Sequence, residues 1–505
     1  MSWYDINNIS WLNWQLQVGG WVYHHWIEST PKPPPLQNPL VPEAGVGQRV
    51  PMIYGNVSVT APNLVWSGNY LAPDESYASA SGPATADHFS IDLVFILGVP
   101  FYGGACEVTA LLLGDTAILT RTIGSTIGTR QLFAFGPSPP SSSEFSINGV
   151  LYTGNTTQDL FDNTQLGTIT SAVYDDGVSY NGGAAGTGTA YKQMIGFSGE
   201  DATLKPSFRS QAVAVLHFGL GQSTDVPSLV FHVKSKSVGT PADMGHELIS
   251  GGGGADPAAV IFDLLTGGFG KLAIPTSKID IPSFQAASLT LFNESHGFSA
   301  FINSSTDAQT LIAQILKEID GLIYQEPTTG KLVLKLIRAD YNPATVPNIN
   351  PDNVVELPSG WYSIPSPAEA YNQVRVQFTI PGLPSGSGIA YGQNQAAIIA
   401  QSGKPRCLDL QMPGITDQTV AQHVASRELA VVSHQLAKCQ LSVNRTLSSL
   451  RPGDVVTLTW PELGISGMIF RILSVDIGKL DDGKIGLGML RDVFDVGVGA
   501  YPVPT

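Results

Sequence analysis

The residues that could do chemistry are few and scattered. His217, His232 and His246 share one stretch and are the best candidates for a metal cluster. His217 and His232, however, fall inside β-type runs, where a packed or surface imidazole is the commoner role. General acid–base work on a glycosidic bond needs two facing carboxylates of different pKa, and nothing in the adjacent pairs Asp175-Asp176 and Asp481-Asp482 points to that arrangement. Both pairs sit in turn-like sequence, where Asp favours the local backbone geometry. Ser250–Gly254 reads Ser-Gly-Gly-Gly-Gly. A phosphate-cradling loop would need a preceding strand and a following Lys-Ser/Thr, so a flexible joint fits better. The chain holds no GxSxG, HExxH, P-loop or paired CxxC. Cys106, Cys407 and Cys439 lie far apart, and buried free thiols in a reducing compartment are expected. Catalytic, cofactor-binding and metal-ligating residues are therefore assigned to none.

The elements around these residues are short strands with Gly/Pro punctuation. The 505 residues allow three or four domains. Charged residues make up 13%, about half the usual share, while 54 glycines and 35 prolines exceed theirs. The net charge is −15. Tight nucleic-acid binding is excluded, because it needs many neutralised phosphates. An acidic surface suits solubility, or a channel past which DNA slides. No secretory leader and no apolar run of membrane-spanning length is read, so no integral membrane segment is expected.

Residues 1–30 hold five of the eight tryptophans: Trp3, Trp11, Trp14, Trp21 and Trp26. So dense an aromatic segment reads as a docking arm, or as cover for the chain's own core. Pro31, Pro33, Pro34 and Pro35 then make a stiff linker. Strand patterns follow at 50–59, 64–67, 89–97, 108–113, 116–120, 212–218 and 228–234. Residues 124–204 are rich in Gly, Ser, Pro and Thr and read as an insertion of long loops.

Asp256-Pro257 predicts a helix cap with proline at the first position. Val260, Ile261, Leu264 and Leu265 form its apolar stripe, and Gly267 stops it. A second helix, capped by Ser305 or Thr306, carries Ala308, Leu311, Ile312, Ile315, Leu316 and Ile319, with Gly321 as its end. Strands at 322–325 and 331–337 follow, joined by Pro327-Thr328-Thr329-Gly330. A helix capped by Thr416 or Asp417 should run to about residue 436. Strands at 439–445, 455–460, 468–475 and 484–489 then build a compact antiparallel sheet or barrel, with turns at Arg451-Pro452-Gly453-Asp454 and Asp481-Asp482-Gly483.

Three blocks resemble one known family. The first is Gly45–Gly68, GVGQRVPMIYGNVSVTAPNLVWSG. The second, 256–378, contains PAAVIFDLLTGGFG, IDIPSFQAASLTLFNESHGFS, LIAQILKEIDGLIYQEPTTGKLVLKLIRADY, NPDNVVEL and YNQVRVQF. The third is Pro413–Gly488, with SVNRTLSSLRPGDVVTLTWPELGISGMIFRILSVDIGKLDDGKIGLG at its end. In this order they resemble the tail hub or tail tip proteins of long-tailed bacteriophages, and cover close to half the chain. The resemblance implies a mainly β chain with α+β modules: tail-tube-like antiparallel β-barrels plus smaller α/β insert domains. The corresponding divisions are 1–45 (arm and linker), 46–240 (first hub barrel, with the 124–204 insertion), 241–347 (α/β) and 348–505 (second hub barrel).

The implied role is structural. A homotrimer presenting two barrels per subunit would adapt a six-fold tail tube to a three-fold tip and give DNA its exit channel. Implied partners are the distal tail protein, the C-terminus of the tape-measure protein and a central fibre or spike. Implied location is the virion tail tip, after assembly in the host cytoplasm. Pro452-Gly453-Asp454 and Tyr54-Gly55 carry part of the resemblance, and turn geometry is their expected role. Two other readings stay open. One is a receptor-binding module displaying 124–204, and the other is a cell-wall hydrolase.

Overall fold

A computed structural model describes residues 254–496, apart from 269–270, 304–307, 367–369, 381–385 and 479–482. Before them it describes 50–60, 62–71, 89–100, 106–113, 116–121, 133–135, 144–147, 150–153, 212–221, 228–235 and residue 244. The Trp-rich arm, residues 114–115 and most of 124–204 lie outside the described residues.

The N-terminal half supplies β1 (Met52–Val59), β2 (Asn63–Leu71), β3 (Phe89–Pro100), β4 (Cys106–Leu113), β5 (Thr116–Arg121), β6 (Phe133–Phe135), β7 (Glu144–Ile147), β8 (Val150–Thr153), β9 (Ala212–Gly221) and β10 (Leu229–Ser235). Next come α1 (Pro257–Thr266), α2 (Ile281–Asn293), β11 (Ala300–Ile302), α3 (Ala308–Ile319), β12 (Gly321–Gln325) and β13 (Leu332–Leu336). The rest is β14 (Asn348–Ile349), β15 (Val354–Glu356), β16 (Tyr362–Ser363), β17 (Gln373–Thr379), β18 (Ser387–Gln393), α4 (Gln395–Ala400), β19 (Cys407–Gln411), α5 (Gln418–Ser433), β20 (Lys438–Asn444), β21 (Val455–Trp460), β22 (Ile465–Asp476) and β23 (Lys484–Arg491). The chain is mainly β with a few helices.

An eleven-stranded sheet runs β6-β5-β4-β10-β1-β3-β9-β7-β8, with β11 added on β1 and β2 on β3. A seven-stranded sheet runs β14-β21-β22-β23-β20-β15, with β16 also on β20. Between described residues both sheets trace open paths. A three-stranded sheet, β18-β17-β19, and the β12–β13 hairpin complete the β-structure.

Four buried regions follow from these elements. In the large sheet, Phe95 and Phe231 pack with ring centroids 5.8 Å apart. The helical region buries α1 almost whole, residues 257–265, as expected of a helix that is apolar all round. Phe284 and Leu291 of α2, Ile315 and Ile319 of α3, Leu334 of β13 and Tyr54 of β1 close around it. In β17, Val374, Val376 and Phe378 point inward and Arg375 outward, and they meet Val420, Ala421 and Val424 of α5. The seven-stranded sheet buries Phe470, Ile472, Leu441 and Leu487, with the rings of Trp361 and Trp460 packed at a tilt, centroids 4.9 Å apart.

Local signals explain the helix ends. Asp256 caps α1 by accepting from the Ala258 N–H at 2.9 Å. Asp417 caps α5 by accepting from Thr419 and Val420. Three expectations need correction. Helix α3 ends at Asp320, which takes the left-handed conformation (φ 53°), while Gly321 already opens β12. Helix α5 stops at Ser433, short of residue 436, where His434 turns extended. Cys407 is exposed, because it opens β19 facing outward; Cys439 alone of the described thiols is buried, which pushes its pKa up to about 12.

Candidate functional site: the joints between the packed units

Three of the family-like segments lie where one unit meets another. The first joint is Tyr54-Gly55. Its expected role as a turn is corrected by the fold, since both residues sit inside β1. Met52, Ile53 and Tyr54 pair with Ile302, Phe301 and Ala300 of β11, while Gly55–Val59 pair with β10. So β1 belongs at once to the large sheet and to the helical region. The Tyr54 hydroxyl donates to Asp263 at 3.0 Å, and Lys271 pairs with the same carboxylate oxygen at 2.6 Å. Burial, then the Asp263 charge, raises the Tyr54 pKa well above its usual value. Gly55 has φ +65°, and a Cβ there would meet Ser299 Oγ, the Phe298 carbonyl and the Ala255 N–H. Gly254 (φ +86°) is pressed against the same Phe298 carbonyl. The described end of the Ser250–Gly254 stretch is thus fixed packing.

The second joint is the segment 412–415. Gly414 donates its N–H to Glu318 Oε1 at 3.2 Å and accepts from the Ser299 N–H at 2.8 Å. On its other side, the Met412 N–H donates to Gln377 and the Thr379 hydroxyl donates to Pro413. A Cβ on Gly414 would overlap the Phe298 ring and Glu318 Oε2. Beside it His296 is fully buried, and burial, then Arg427, holds its pKa down at about 3. Arg338 grips Glu294 with both ends of its fork, at 2.6 and 2.7 Å.

The third joint is the turn Arg451-Pro452-Gly453-Asp454. It docks on the β12–β13 hairpin: Arg451 holds Glu326 through two contacts of 2.8 Å, and Lys335 reaches Asp454 at 2.5 Å. Gly453 takes φ +83°, and a Cβ there would meet Lys335 Cδ and Leu322. Arg471, buried in β22, donates to Gly453 O, Arg338 O and Asp492 at 3.0, 2.8 and 2.8 Å. The turn geometry expected from sequence is present, but it serves a contact between the helical region and the seven-stranded sheet.

Residues 307–475 include Glu318 and the 412–415 segment of the second joint and most of the third. Those residues match a family model. The family is described as putative phage tail protein. The resemblance read from the sequence therefore stands at the level of phage tail proteins.

Among solved structures, a chain from the virion of a native gene transfer agent particle matches with TM-score 0.55 at 15% identity. The match covers 92% of this chain and 88% of that one. The tail protein from Neisseria meningitidis MC58 matches with TM-score 0.31 and 10% identity, over 89% of this chain and 99% of that one. The 43 kDa tail protein of prophage MuSo2 from Shewanella oneidensis gives 0.30 and 12%, over 88% and 95%. Among curated protein sequences none matches.

The other sequence candidates stay apart from the joints. Trp3, Trp11, Trp14, Trp21 and Trp26 lie outside the described residues, as do His246, Asp175-Asp176 and Asp481-Asp482. His232 sits in β10, where burial lowers its pKa. His217 lies in β9, and its side chain is outside the described residues. Among the described residues no group of three or more His, Cys, Asp or Glu is placed to hold a metal. No described helix is long and apolar enough to cross a membrane.

Proposed function

We propose that this chain is a structural part of a phage-type tail: the hub that closes the distal end of the tube, adapts its six-fold symmetry to a three-fold tip and leaves a channel for DNA. The observation that carries the reading is the convergence of two likenesses on one chain. Residues 307–475 match a phage tail protein family, and a virion chain shares the fold over 92% of this one. On this reading the eleven-stranded sheet (β1–β10 within 46–240, with β11 added from the α/β module) and the seven-stranded sheet (within 348–505) are the walls of two tube-like barrels, and 241–347 is the α/β module between them. Three subunits would then give six walls around one axis. The Trp-rich arm is the docking element toward neighbours: the distal tail protein, the tape-measure C-terminus or a central fibre or spike. The net charge of −15 suits a conduit that DNA leaves without binding. The role assigns the chain no reaction.

Sedimentation equilibrium of the purified protein tests the three-fold part. The expected mass at micromolar concentration is that of three 53.5 kDa chains. A dimer, or a chain that stays monomeric at the highest soluble concentration, contradicts a self-assembling trimer.

A further inference from the structure

We propose that Glu318 is a proton-operated latch: its neutral carboxyl holds the 412–415 segment, and the three-stranded unit that segment carries, against the end of α3, and loss of the proton loosens this joint. The proposal stands on geometry and does not depend on the tail reading. Glu318 is 1% exposed in the last turn of α3. Its Oε1 accepts from the Gly414 N–H at 3.2 Å and from Gln314 at 3.3 Å. Among the described residues its Oε2 is buried without a hydrogen-bond partner, against the space that a Gly414 side chain would fill. A neutral carboxyl tolerates this; a buried carboxylate held by two long hydrogen bonds does not.

The charged neighbours do not rescue the anion. On α3 itself, Lys317 favours the charged form only weakly, and burial outweighs it together with the Gln314 and Gly414 bonds. On α5, Arg427 aims at the main chain, donating to the Glu318 and Lys317 carbonyls at 3.4 Å, and it pairs with Glu428 at 2.7 Å. Arg338, from the strand side, is held by Glu294. His296, from the 294–299 segment, is neutral, and His423 of α5 faces it. Burial thus raises the Glu318 pKa from the usual 4.5 to about 7. The stabilisation from the neutral carboxyl is full below pH 4.5 and is lost as pH rises through about 7. His296 acts in the opposite sense. Its folded pKa is depressed from 6.5 to about 3, so its share is full above pH 6.5 and is lost as pH falls through about 3.

Amide hydrogen exchange at Gly414 reads the latch directly, with the Val260 amide of α1 as a core reference. In the full-length protein, opening at Gly414 should increase from pH 6 to pH 8 after correction for intrinsic exchange. In Glu318→Gln, which keeps the acceptor for the Gly414 N–H, the Glu318 contribution vanishes. The ratio of wild-type to variant opening should rise about tenfold over this interval, and comparing the two chains cancels His296. A flat ratio overturns the proposal. So does a Val260 amide that loses protection in step with Gly414, since the event is then global. If the variant fails to fold, the wild-type profile still decides: Gly414 opening that does not increase between pH 6 and pH 8 is incompatible with the latch.

Discussion

Gly55→Ala is expected to destabilise the chain by about 2–5 kcal/mol, combining left-handed backbone strain with overpacking. Gly55 sits inside β1 with φ +65°, where an L side chain costs about 1–2 kcal/mol. Its neighbours add the rest: a Cβ would stand 2.5 Å from the Phe298 carbonyl and 2.9 Å from the Ala255 N–H, both main-chain atoms that cannot rotate away. Relief would separate β1 from β11 and so part the large sheet from the helical region. Gly360→Ala is the control. It has φ +74° and nothing within 4 Å of an added Cβ, so it carries the strain alone. Urea unfolding followed by circular dichroism should show a loss at least twice as large for Gly55→Ala. Equal losses would mean that the close approach to Phe298 contributes nothing.

The second large effect is expected at Arg471. This guanidinium is buried in β22 and pairs with Asp492 at 2.8 Å, with side-chain exposures of 6% and 2%. It also donates to the carbonyls of Gly453 and Arg338 and lies 5.6 Å from the Tyr341 ring centroid. Asp492→Ala strands a buried cation and should cost about 3–5 kcal/mol. Arg471→Met strands the carboxylate and should cost a similar amount. The double replacement, Arg471→Met with Asp492→Leu, removes both charges and should cost much less than the two single losses combined. A double-mutant cycle by urea unfolding measures this. Strictly additive losses would show that the pair does not act as a unit.

Where a signal is local, the fold was legible. Asp256-Pro257 and Asp417 capped helices as expected, and the stripe Leu311, Ile312, Ile315, Ile319 marked the buried face of α3. Strands β12, β13, β20, β21 and β23 begin and end within two residues of their sequence-read limits. Helix α2 was not read, because it is apolar on both faces: Phe284 and Leu291 are buried, while Leu289 and Phe292 are 48% and 40% exposed. Its period is blurred, and Asp280 makes no side-chain cap. Strand β17 was missed although Val374, Arg375, Val376, Gln377 and Phe378 alternate cleanly. The joints were illegible for a different reason. Tyr54 meets Asp263, Arg451 meets Glu326 and Glu318 meets Gly414 across long stretches of chain, and no spacing rule reaches that far. A glycine inside a strand was the one clue, since it marks a close backbone approach more often than a turn.

A hub has a fixed place in a tail, and its position on a particle can be seen. Tails purified from cells that make this protein, labelled with an antibody against it, can be imaged by electron microscopy. Label confined to the distal tip of the tube is the expected result. Label spread along the tube, or confined to the head-proximal end, would contradict it.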